Sequence, residues 1–241
     1  ACFAIALIAL YPVFWLACSS LKNLTEYLST TQILPKNADW AGWVKTWNDF
    51  GFTKYYINSG IAVAGGVLCA IFFNGLMAYV LAVLKPKGHK IVLALVMWCL
   101  LIPPTTSFVA LFVNIKKIGL TGSFVPLWLT MGANAYWVIL FKNYFESLPR
   151  DYIDAARIDG CSYAQTFFHI MVPQALPGIS TAGVLAFLGF WNEYYWASLV
   201  IIDKKLMTIP SLMGQFQTSF STNYNGMLSA ICLLYTSDAA D

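Results

Sequence analysis

Charged side chains are scarce in this chain, and one stretch gathers several of them. Residues 149–173 carry Arg150, Asp151, Asp154, Arg157, Asp159 and His169 within an otherwise apolar sequence. Pro149 marks a helix start, and Asp151 and Asp154 fall in the first turn, where carboxylates favour the helix dipole. Ala155 and Ala156 leave one surface of that helix almost bare. Gly160 can take the positive φ that ends a helix. Ser162 and Gln165 then fit a capping box that opens a second helix, with Pro173 and Pro177 to close it. A short small-residue helix between apolar runs suits docking into a partner's cleft. An ordinary amphipathic loop at a membrane surface has the same pattern.

The remaining polar groups set up no reaction centre. His89 and His169 are far apart and have no partner at metal-ligand spacing, so they read as loop or interface residues. Cys2, Cys18, Cys69, Cys99, Cys161 and Cys232 include no C-x-x-C pair and mostly sit in or beside apolar runs, as small buried hydrophobes do. No metal or cofactor is expected. The chain has no G-x-x-x-x-G-K-[ST] phosphate loop, so it is not expected to hydrolyse ATP. Three polar residues inside apolar runs stand out: Asn74, Asn192 and Glu193. Such groups are costly in hydrocarbon and serve either as interhelical hydrogen-bond partners or as part of a solute path.

The elements that must hold these residues are membrane spans. Of 241 residues, 59% are hydrophobic and 10% charged, with a mean hydropathy of +0.66. A soluble domain carries about 25% charge. The chain reads as one all-α membrane domain over residues 1–234, and nothing in it points to nucleic-acid binding. Span one covers about residues 1–20, with a kink allowed at Pro12. Residues 21–55 form the longest polar segment. In it Trp40, Trp43 and Trp47 share a helix face, fitting an interfacial helix in lipid headgroups or a contact for an external protein. Span two covers about 57–84, and Gly60, Ala64, Gly65 and Gly66 permit close helix packing. Span three covers about 91–113 and should bend at Pro103-Pro104. Span four covers about 123–145, and span five about 178–202. Glu193 lies about 15 residues, ~22 Å, from the inner end of span five, in the outer half of a ~30 Å core. The aromatics around it form an interfacial belt or a sugar-stacking wall.

Both ends are expected to be cut. The chain starts inside an apolar run without a Met or a basic flank. A sixth span starting near Gly226 gives way after about nine residues, short of the ~20 needed. Residues 235–241 read as a non-native or truncated tail.

One stretch resembles a known family. The EAA loop of ATP-binding cassette importer permeases has the pattern E-A-A, three residues, G, nine residues, I-x-L-P. Here Asp154-Ala155-Ala156 is followed at the same spacings by Gly160 and by Ile170-Met171-Val172-Pro173, with Asp for Glu and Val for Leu. The resemblance extends over nearly the whole chain to about Leu234, through Asn58-Ser59, Leu101-Ile102-Pro103-Pro104, Trp191-Asn192-Glu193-Tyr194 and Thr208-Ile209-Pro210. It is to the carbohydrate class of type I importers, with maltose-type permease subunits as familiar members. It implies a bundle of six membrane-spanning helices in a prokaryotic cell membrane. It also implies cytoplasmic ATP-binding subunits docked on Asp154, Ala155, Ala156, Asp159 and Gly160, a second and different permease subunit, and an extracytoplasmic sugar-binding protein. Asn192, Glu193 and Asn74 would line the solute path. The short turn Lys85–Lys90 reads as cytoplasmic. The whole-chain count, six Lys and Arg inside against eight outside, does not repeat that bias, so the orientation rests on the resemblance.

Two other classes have less to stand on. An ion-driven secondary transporter or channel would show paired intramembrane charges and inverted repeats. A membrane-embedded enzyme would need a catalytic cluster within its spans.

Overall fold

Local signals account for most element boundaries. The computed structural model describes residues 2–29 and 32–212, and among them every regular element is helical. The sixth span and the 235–241 tail lie outside the described residues. The described residues divide into two compact units, residues 2–29, 32–60 and 204–212 in one and residues 61–203 in the other.

In the first unit, α1 (Cys2–Ser20) carries Pro12 inside it, and the short α2 is Leu24–Ser29. The tryptophan helix is α3, Trp40–Phe50. The Asp39 carboxylate accepts from Gly42 N–H at 2.8 Å, and Gly51 ends the helix at φ +63°. Trp43 stacks on Trp47, and Trp47 on Tyr56. No residue of α3 is buried, and Trp40 is 63% exposed, which suits a helix lying on a surface. The family motifs Asn58-Ser59 and Thr208-Ile209-Pro210 meet here. Asn58 Nδ2 donates to the carbonyls of Lys205 and Met207 at 2.9 and 3.0 Å, and Ser59 Oγ accepts from Ile209 N–H at 2.9 Å.

Span two is the long helix α4, Phe52–Leu84, 33 residues with π-helical turns at Ala70–Asn74 and Val80–Leu84. Among the described residues it is the one helix long and apolar enough to cross a membrane unbroken. The other spans are interrupted. Span three is α5 (His89–Leu101) and α6 (Pro104–Lys117), meeting at 95°. That is a full break where a bend was expected, because Pro103 and Pro104 together remove two backbone donors. Span four is α7 (Val125–Gly132) and α8 (Ala135–Ser147), separated at Ala133-Asn134. Asn134 takes an extended conformation, and its side chain accepts from Tyr136 N–H at 2.9 Å, restarting the helix as a cap. Span five is α11 (Leu176–Trp191). It stops at Asn192 and is followed by the short α12 (Tyr195–Val200).

The core of the second unit interleaves alanines with large rings. Ala70, Ala78 and Ala82 of α4 and Ala182 and Ala186 of α11 are buried with Trp137, Phe141 and Phe145 of α8 and with Phe167 and Met171. Small residues let helix backbones approach closely where lipid supplies no hydrophobic drive between helices. At Gly65 an added Cβ would lie 2.3 Å from the Trp128 indole, and at Gly66 2.2 Å from the Phe190 ring.

Candidate functional site

Residues 149–173 form the two helices their caps predict. The first is α9, Asp151–Ile158, with Asp151 and Asp154 in its first turn. Gly160 has φ +76°, Cys161 N–H donates to the Ala156 carbonyl at 2.9 Å, and Gly160 N–H to that of Arg157 at 3.1 Å. These are the two bonds of a Schellman ending. The capping box follows. Gln165 N–H donates to Ser162 Oγ at 3.3 Å, and Ser162 N–H to Gln165 Oε1 at 2.8 Å. The second helix, α10 (Tyr163–Gln174), runs through Pro173 by way of a π-helical segment, Thr166–Met171. Pro173 and Pro177 therefore do not close it. Pro177 sits in the first turn of α11, which leaves α10 at 78°, because a missing N–H is tolerated at a helix start.

The two alanines part company. Ala155 is exposed, but Ala156 is 1% exposed, turned inward on a helix that packs against Thr166–Met171. The outward side of α9 carries Asp154, Ala155, Arg157 and Ile158, with Asp159 and Gly160 exposed after it. Ile158 is 86% exposed, a large apolar side chain that this chain leaves uncovered. The sequence reading missed it. Its signal was the i, i+3 spacing from Ala155. The Asp154–Arg157 ion pair, 3.7 Å and open to solvent, adds little.

A cleft of about 310 Å³ runs beside α9, lined by Lys85, Glu146, Arg150, Asp154 and Arg157 among others. Glu146 lies beyond the apolar part of span four. It joins Lys142 at 2.7 Å and Lys85 at 3.6 Å, tying the turn after span two to the end of span four. The hydrogen bond from Lys142 holds its carboxyl below the ordinary carboxylate range.

The three candidate path residues have separate hydrogen-bond settings. Asn74 is buried and bonded entirely to backbone: Nδ2 donates to the carbonyls of Ala70 and Met131 at 2.8 and 2.7 Å, and Oδ1 accepts from Asn134 N–H at 3.0 Å. Glu193 sits in the break after span five, where its carboxylate accepts from Trp196 N–H at 2.9 Å. Asn192 is exposed beside it. Among the described residues no hydrogen bond joins Asn192 or Glu193 to Asn74, and no group of three or more His, Cys, Asp or Glu stands together as a metal site would. His89 and His169 bond only to nearby carbonyls, those of Pro86 and Gln165.

Residues 66–237 match the family described as the binding-protein-dependent transport system inner membrane component. A probable ABC transporter permease protein of Bacillus subtilis, YurM, is 31% identical over 225 residues, 92% of this chain and 75% of that protein. The diacetylchitobiose uptake system permease protein NgcG of Streptomyces coelicolor is 28% identical over 230 residues, 94% of this chain and 76% of its own length. The fold matches that of a chain in a bacterial ABC transporter involved in the import of the acidic polysaccharide alginate. The TM-score is 0.87 at 21% identity, covering 98% of this chain and 89% of the other. The chain therefore belongs to the inner-membrane components of binding-protein-dependent transport systems, the permease subunits of ATP-binding cassette importers.

Proposed function

We propose that this chain is the permease subunit of a carbohydrate importer and that the outward face of α9 docks on a cytoplasmic ATP-binding subunit. The carrying observation is Ile158, an uncovered apolar side chain on a helix whose following turn is capped at both ends. Beside it Asp154, Ala155, Asp159 and Gly160 offer small and acidic contacts, while Ala156 seats the helix from below. The sugar assignment is supported by the diacetylchitobiose relative and by the resemblance of the short motifs to the carbohydrate class.

Members of the family work in general with an ATP-binding subunit, a partner permease and a binding protein. In the reading proposed here the partner permease is a different chain, and an extracytoplasmic protein delivers the sugar to a multi-pass subunit in a prokaryotic cell membrane. ATP closes the ATP-binding subunits, and α9 and α10 transmit that closure to the spans. Partners that prefer one of two conformations drive the switch.

The test is the complete transporter in liposomes, with ATP hydrolysis measured against a panel of sugar-loaded binding proteins. One sugar should stimulate hydrolysis, and Ile158→Glu should cut that stimulation roughly ten-fold or more, as loss of a central interface contact does. The variant subunit should still be recovered from the membrane in normal amount. Ala156→Trp should instead reduce the amount of folded subunit, because its side chain has no room. Normal stimulation of Ile158→Glu would reject the docking face. Flux that ignores ATP and follows an ion gradient would reject the importer.

A further inference from the structure

The break in span four leaves backbone groups exposed in an apolar interior, where each unsatisfied one is costly. Two of them, the Met131 carbonyl and the Asn134 amide, are on opposite sides of the break and are satisfied by one side chain from another span, that of Asn74. Both of its amide protons are in use, the second on Ala70 at the start of the same π-helical turn. A carboxamide is what this place requires. Leu fills the space and bonds nothing, and a carboxylate accepts but does not donate.

The same stretch of α4 is packed on the coupling stretch. The Phe72 and Phe168 rings stack with centroids 6.4 Å apart, Tyr79 meets Phe167 at 5.1 Å, and Tyr79 Oη donates to the Tyr163 carbonyl at 3.2 Å. Contact therefore runs without a gap from α10 through span two to the break at 132–134.

We propose that Asn74 pins span two to both halves of span four, so that α10, span two and the break move as one body when the coupling helix is displaced. Asn74 is thus a positioning residue for transport and not a contact for the solute. This rests on the coupling role proposed above.

Gly132 supplies the test. A Cβ added there would lie 3.5 Å from Cys69 Cβ, within the ~3.5–4.5 Å of disulfides, with the Phe73 ring 3.1 Å away and able to tilt. In transporter whose other cysteines are serine, Gly132→Cys can be oxidised onto Cys69 across the two spans. Sugar moved per ATP hydrolysed is then measured in liposomes with all partners present. With Asn74 in place, oxidation should leave that ratio within about two-fold of the reduced protein. Asn74→Leu should lower it roughly ten-fold with hydrolysis continuing, and oxidation of the Asn74→Leu, Gly132→Cys protein, which rejoins span two to α7 alone, should restore part of it.

Transport lost on oxidation and regained on reduction, with Asn74 present, would show that the spans must separate and would overturn the proposal. So would normal coupling in Asn74→Leu, or a higher KM for sugar-loaded binding protein at unchanged kcat. If Asn74→Leu does not assemble, the oxidation of Gly132→Cys alone decides. An unaltered transporter that does not couple sugar to ATP would instead sink the function assigned above.

Discussion

At Gly160 nothing lies within 4 Å of where a Cβ would be, so the cost of a side chain there is backbone strain alone. With φ at +76°, Gly160→Val should cost about 1–2 kcal/mol of local helix-end stability. Hydrogen exchange at the Gly160 and Cys161 amides should speed up by roughly ten-fold, with the spans unchanged. Unchanged exchange would mean that the turn does not depend on the left-handed residue. This glycine was legible from sequence because its role is local: it ends one helix where Ser162 caps the next. The neighbouring alanines were not legible in the same way. Ala155 and Ala156 differ only in which side of a helix they occupy, and that is decided by what packs beneath. Glu193 shows the same limit. Its position in an apolar run made it a candidate for the solute path, and only the structure shows that its carboxylate accepts from Trp196 N–H.

At the scale of elements, the helix starts and stops follow caps, prolines and glycines, and the breaks follow them only in part. Pro103-Pro104 announced the turn in span three. Nothing as strong announces the break at Ala133-Asn134, since a lone Asn in an apolar run reads equally as an interhelical partner. The helix ends there because Asn74 replaces the backbone partners that continuation would have supplied. Close approach is another property of elements. Trp128 lies against Gly65, and its indole N–H donates to the Ala62 carbonyl at 3.0 Å, which fixes the ring. Gly65→Ala should therefore overpack and cost about 1–3 kcal/mol. Gly60→Ala, with nothing within 4 Å, should cost under about 0.5 kcal/mol or stabilise slightly. Thermal unfolding of the two purified variants in one detergent checks this, and equal losses would show that the glycine at 65 is not a packing requirement.

For the whole molecule, the orientation is the first thing to establish in a membrane. In single-cysteine protein, Lys87→Cys lies in the exposed turn after span two, and Lys117→Cys at the far end of span three. A membrane-impermeant thiol reagent should modify Lys117→Cys from outside intact cells and Lys87→Cys only after lysis. The reverse pattern would place the coupling stretch outside and remove its role. Residence in a membrane followed from composition, since a chain with 10% charge cannot coat a soluble domain. The two helices and the capped turn of residues 149–173 also followed from sequence, because caps act between residues three to five apart. What only the tertiary structure decided is which side of α9 faces out, with Ile158 exposed and Ala156 covered, and that Asn74 holds span four from 57 and 60 residues away. Caps and breakers are written in neighbouring residues, whereas burial and bonds across a break exist only once distant spans have packed.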